Sequence, residues 1–140
     1  MKSYTDEIAE LYSIPVIDEI KTNIIAVPNI TFQITEDCNL RCEYCYQINK
    51  TSVVMPLETA KKFIDLLIAN DNNTKQYIDT EKCVGVILDF IGGEPLLQPK
   101  LIDEIITYFR TQTIIHNHPW QYNWRISISS NGTLYFNPEV

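Results

Sequence analysis

The amino-acid sequence predicts an α/β architecture in which parallel strands alternate with helices. Three observations carry that expectation. Apolar residues alternate with polar ones in "ITFQIT" (30–35) and "WRISISS" (124–130), and run almost unbroken through "VGVILDFI" (84–91); these are the patterns of half-covered and fully covered strands. Between them lie two segments of helical period, "PLETAKKFIDLLIAN" and "PKLIDEIITYFR". The resulting order, strand, helix, strand, helix, strand, implies parallel strands joined by right-handed crossovers.

Each element has its own warrant. Residues 1–28 read as a lead-in, a short helix carrying Ile8, Leu11 and Tyr12 and then an extended apolar stretch broken by Pro28. The first strand follows and runs straight into a loop holding Cys38, Cys42 and Cys45. The first helix opens on Pro56, a residue suited to a first helical turn, and aligns Leu57, Ala60, Phe63, Ile64, Leu67 and Ile68 on one face. After the polar loop "NDNNTKQYIDTEK", the second strand ends at Gly92-Gly93-Glu94-Pro95. The second helix buries Leu101, Ile102, Ile105, Ile106 and Phe109, and the third strand closes on the turn-forming pair Asn131-Gly132.

Composition narrows the function. With 45% apolar residues, 140 residues can bury a core as one domain or part of one. A net charge of -7 without a Lys/Arg cluster argues against nucleic acid or an anionic membrane as partner. No apolar run reaches the ~18 to 20 residues of a membrane span, and the first residues lack a secretory h-region. These features place the chain in the cytoplasm, where a reducing environment favours metal or redox roles for clustered thiols.

In open parallel sheets, ligands bind beyond the carboxyl ends of the strands. Three polar stretches fall there: the cysteine loop, Gly92 to Pro95, and Ser130-Asn131-Gly132. A closed zinc site takes four ligands, commonly as two CxxC-like pairs, so three thiols on one loop make a poor zinc ribbon. An electron-transfer cubane also takes four thiolates. Three leave one iron open, as a catalytic centre requires. Cys83, at the start of the second strand, reads as a small buried hydrophobe.

Cys38-x3-Cys42-x2-Cys45, with Tyr44 before the last cysteine and a Gly-Gly-Glu-Pro stretch after the next strand, resembles the signature of the radical S-adenosylmethionine superfamily. The resemblance implies the N-terminal part of a partial (βα)6 TIM-like barrel, with residues 29–140 supplying about half of the core domain. It implies that Cys38, Cys42 and Cys45 each bind one iron of a 4Fe-4S cluster, and that the fourth iron takes the amino and carboxylate groups of S-adenosylmethionine. Gly92, Gly93 and Glu94 would hold the methionyl amino group, Tyr44 would pack by the adenine, and Ser130 and Asn131 would line the same pocket. Reductive cleavage would yield a 5'-deoxyadenosyl radical that abstracts hydrogen from substrate. The wording "TFQITEDCNLRCEYCY", "DFIGGEPLL" and "SSNGTL" is similar to the peptide- and protein-modifying maturases, including anaerobic sulfatase maturases. That subgroup implies a peptide or protein substrate and a reductant such as flavodoxin or ferredoxin. Three strands do not close a barrel, so the resemblance also implies a chain that supplies the missing half. The alternative is a non-catalytic iron-sulfur remnant or electron-transfer protein.

Two further motifs read more plainly. His116-x-His118 lacks carboxylate or cysteine neighbours and reads as a solvated loop, and "PWQYNW" as core and rim packing. Asp89, inside the second strand, needs a partner or a pocket.

Overall fold

The structure is a computed structural model that describes residues 27–138; the expected N-terminal helix lies outside them. Strand β1 spans Asn29–Thr35, helix α1 Leu57–Ala69, β2 Val86–Gly92, α2 Pro99–Ile115 and β3 Trp124–Ile128. The strands form one sheet in the order β1-β2-β3, and both pairings are parallel. The expected fold class is therefore present. No helix among the described residues is long and apolar enough to cross a membrane.

Strand register explains the two faces of the sheet. Ile30, Leu88 and Ile126 lie side by side, as do Phe32, Phe90 and Ile128, and side chains at paired positions share a face. The β1 and β2 members of these rows pack with Ala60, Ile64 and Leu67 of α1 and Ile102, Ile105 and Phe109 of α2 in one core cluster. Phe32 and Phe90 stack across adjacent strands with ring centroids 5.6 Å apart. The opposite face carries the row Thr31, Asp89 and Ser127. There Asp89 is buried and accepts a hydrogen bond from the Thr31 hydroxyl at 3.3 Å, which supplies the partner its position demanded.

Several boundaries differ from the sequence reading for local reasons. Helix α2 continues to Ile115, past Arg110. Thr111 and Thr113 blur the periodicity there, yet their hydroxyls donate to the carbonyls of Thr107 and Arg110, so neither competes with the helix. Phe63, expected in the buried stripe, is 43% exposed and meets Phe32 only edge-on. Helix α1 ends at Asn70, whose φ of 44° is the left-handed cap conformation that asparagine tolerates.

The solvated reading of His116-x-His118 needs a larger correction. His116 is exposed, but His118 is buried, its Nδ1 accepting the Trp120 N–H at 3.2 Å. Nδ1 is thus the unprotonated nitrogen, and Nε2 faces the Thr80 hydroxyl at 3.3 Å. Burial, with a smaller contribution from His116, pushes the His118 pKa down. Trp120 is fully buried, donating its indole N–H to the Cys83 carbonyl at 3.0 Å, as core packing requires. Cys83 is itself a core residue, and burial, aided by the charge of Asp79, raises its pKa.

Candidate functional site at the C-terminal edge of the sheet

The loop after β1 is shaped by side chains that bond back to its own main chain. Thr35 is buried; its hydroxyl accepts the Asp37 N–H at 3.0 Å and donates to the Val53 carbonyl at 2.9 Å. Asp37 accepts the Cys38 N–H at 2.8 Å. The chain then returns beside β1, where Val54 bridges Thr35 and the Met55 N–H reaches the Ile34 carbonyl at 2.8 Å. Lys50 and Arg41 donate to the Leu40 carbonyl, and Arg41 also to that of Cys38. These local bonds replace helix or sheet pairing over the cysteine-bearing segment.

The second loop docks directly on the first. Gly93 donates its N–H to the Thr35 carbonyl at 2.9 Å, and Glu94 to the Asp37 carbonyl at 2.8 Å. A Cβ on Gly92 would collide with the Thr35 carbonyl, and one on Gly93 with that of Asp37. Glycine is needed at both positions because main chain meets main chain. The main-chain approach that these glycines permit is made here toward the cysteine loop.

The third loop is tied to both. Glu94 is fully buried; its carboxylate accepts the Leu96 N–H at 3.0 Å, the Ser130 hydroxyl at 2.9 Å and the Asn131 N–H at 2.8 Å. The Asn131 side-chain amide lies 3.8 Å from the Cys38 sulfur and 2.9 Å from Asn39 Oδ1. The three stretches expected at this edge therefore meet, through Asp37, Glu94 and Asn131. Sequence reading missed Thr35, Asp37, Asn39 and Thr133 as parts of this network. The signal available was the run of short polar residues flanking the cysteine, which favour side-chain to main-chain bonds.

The donor set suits an iron-sulfur cluster in chemistry. Cys38, Cys42 and Cys45 are all free thiols on one loop, and Cys42 and Cys45 are held in one turn by the Cys45 N–H to Cys42 carbonyl bond at 3.1 Å. Cys42 and Cys45 line a hollow of about 220 Å³ with Arg41, Glu43, Gln47, Ile48 and Lys50. Cys38 is buried, with the Leu40 N–H at 3.4 Å from its sulfur. Amide donors around a sulfur stabilise thiolate charge. Among the described residues, no three His, Cys, Asp or Glu side chains are already gathered at metal-binding distance. Tyr44 is 91% exposed.

Known proteins are similar to this chain over most of its length. The family model described as the Radical SAM superfamily matches residues 32–140. The chain is 34% identical over 106 residues to an uncharacterised protein of Methanocaldococcus jannaschii, covering 76% of this chain and 31% of that protein. It is 29% identical over 108 residues to an S-adenosylmethionine-dependent nucleotide dehydratase of Danio rerio, covering 76% of this chain and 24% of that one. It is 28% identical over 128 residues to a serine-type anaerobic sulfatase-maturating enzyme of Bacteroides thetaiotaomicron, covering 73% of this chain and 28% of the enzyme. The chain thus spans about a quarter to a third of the length of these relatives. The cofactors that go with the family are a 4Fe-4S cluster and S-adenosylmethionine. With three parallel strands, a three-cysteine loop and the converging loops at their ends, the chain belongs to the radical SAM superfamily.

Proposed function

We propose that this chain carries the cluster- and S-adenosylmethionine-binding part of a radical SAM enzyme that acts on a peptide or protein substrate. The observation that carries the reading is the meeting of the three strand-end loops beside Cys38, through Asp37, Glu94 and Asn131. Cys38, Cys42 and Cys45 hold the cluster. Once bound, the cofactors supply reductive cleavage of S-adenosylmethionine to a 5'-deoxyadenosyl radical, which takes hydrogen from the substrate. Residues 29–140 form the core part of the domain and 1–28 the lead-in. In this reading the main chain at Gly92 and Gly93 would serve the methionyl end of S-adenosylmethionine, and the ring of Tyr44 the adenine. A one-electron reductant such as flavodoxin or ferredoxin completes the reaction, with further barrel strands supplied by a continuation of the chain or by a partner. A cytoplasmic setting keeps the thiols free.

The peptide assignment draws on the sulfatase-maturating relative and on charge. A nucleotide substrate, suggested by the nucleotide dehydratase relatives, presents phosphates, which need cations. Here the two basic side chains of the cysteine loop, Arg41 and Lys50, are committed to main-chain carbonyls, and Asp89 occupies the middle of the sheet face opposite the helices. That arrangement suits a neutral or cationic group better than a polyphosphate.

The test is anaerobic reconstitution with iron and sulfide, then reduction with S-adenosylmethionine and assay for 5'-deoxyadenosine, with peptides and with nucleoside triphosphates added in parallel. 5'-Deoxyadenosine release stimulated by peptide is the expected result. Stimulation by nucleotide alone would replace the substrate class. A stable cluster without cleavage, with or without either substrate, would leave an iron-sulfur carrier in place of an enzyme.

A further inference from the structure

We propose that Glu94 and Asn131 are positioning residues for Cys38: Glu94 braces the third loop, and Asn131 directs a side-chain N–H at the Cys38 sulfur. The inference rests on the reading of Cys38 as a cluster ligand and assigns to two residues a role toward the sulfur that differs from holding S-adenosylmethionine.

The orientation of the Asn131 amide is fixed by its neighbours. The Thr133 main-chain N–H, which can only donate, lies 3.0 Å from Asn131 Oδ1, and the Thr133 hydroxyl donates to the same oxygen at 2.7 Å. The oxygen therefore faces Thr133 and the nitrogen faces the cysteine loop. That nitrogen has two hydrogens, one directed to Asn39 Oδ1 at 2.9 Å and one to the Cys38 sulfur at 3.8 Å. Asn39 in turn donates to the Thr133 hydroxyl at 2.7 Å, closing a ring between the first and third loops. Both donors and both acceptor sites of Asn131 are spent on the protein.

Glu94 is equally committed. Its carboxylate takes three donors, two of which, Leu96 N–H and Asn131 N–H, are main-chain groups that cannot reverse roles. Ser130, the third, accepts the Gly132 N–H at 3.0 Å while donating to Glu94. A fully buried carboxylate bonded in this way fixes where the third loop stands, and so where the Asn131 amide points. An N–H aimed at a ligand sulfur favours the more negative, reduced state of a cluster and raises its potential.

Two arms test the proposal. In the metal-free chain, Glu94→Gln keeps an oxygen for Leu96 and Ser130 but sets an amide donor against the Asn131 N–H. Hydrogen-deuterium exchange should then quicken on the order of tenfold in residues 129–134 and in the cysteine loop 36–45, with α2 unchanged. Unchanged exchange in 36–45 would overturn the brace. In the reconstituted chain, Asn131→Ala and Asn131→Ser should both lower the cluster's reduction potential, because Ser retains an acceptor for Thr133 but does not reach the sulfur. A Ser variant that matches wild type while Ala falls would mean that only the turn matters, and equal potentials in all three would remove the N–H to sulfur bond; either overturns the Asn131 role. A wild-type chain that takes up no cluster defeats the functional reading and with it the Asn131 role, and the exchange arm then decides the brace alone.

Discussion

At the scale of single residues, the four cysteines divide by environment. Cys38 stands beside two amide donors, and Cys42 and Cys45 share a turn on the same loop, whereas Cys83 sits in the core with its sulfhydryl on the Asp79 carbonyl at 3.3 Å. Burial holds the Cys83 thiol protonated well past neutrality. Cys38→Ala, Cys42→Ala and Cys45→Ala are each expected to abolish the iron-sulfur absorbance of the reconstituted chain, while Cys83→Ala keeps it; equal loss in all four would refute the ligand set. The spacing of these cysteines was fully legible in the sequence, and so was the burial of Cys83. What Glu94 and Asn131 touch on the other loops was not, because those partners lie 36 to 93 positions away in the chain. Sequence pattern reports which residue types are present at a strand end; only the parallel sheet decides which of them meet.

At the scale of elements, strands and helices followed their hydrophobic period and the irregular connections did not. Helices α1 and α2 and the three strands appear where alternation and 3.6-residue spacing put them. His116-x-His118 looked solvated, yet His118 caps a short 3-10 turn at Pro119–Gln121 whose Trp120 fills the core, as the packing reading of "PWQYNW" expected. A polar residue that serves as a cap cannot be told from a solvated one by composition. The His118 cap has a pH consequence. Its folded pKa lies below the ordinary histidine value of about 6.5, so the unfolded chain binds a proton more readily in the window between the two. The contribution to stability is therefore fully present above about pH 6.5 and is lost as pH falls toward the folded pKa. Urea denaturation at pH 7.5 and at pH 5.5 should show a smaller acid loss in His118→Asn than in wild type. The variant should also be less stable at pH 7.5, by about 1 kcal/mol, the usual value of a lost capping bond. An identical acid loss in both proteins would remove His118 as the source.

At the scale of the whole molecule, the third strand stands apart from the other two. β1 and β2 bury the side chains on their helix-facing side, but the equivalent residues of β3, Ile126 and Ile128, are 45% and 41% exposed. Ile114 and Ile115, at the end of α2, are exposed as well, at 53% and 66%. β3 is also a sheet edge, paired only with β2 among the described residues. An uncovered edge next to exposed apolar side chains is a template for pairing with another chain. The register explains why the defect is confined there: Ile126 and Ile128 continue the rows Ile30-Leu88 and Phe32-Phe90, whose first two members are covered by α1 and α2. The expected behaviour of this chain alone is concentration-dependent self-association, visible by sedimentation velocity over a range from micromolar to hundreds of micromolar. Replacing Ile126 and Ile128 together by Thr keeps β-branched side chains in the strand. It should reduce association while changing the unfolding free energy by less than about 1 kcal/mol per site, since little buried area is lost. If the double variant associates as strongly as wild type, the β3 face is not the contact. If it unfolds, these two isoleucines contribute to the chain's own core despite their exposure.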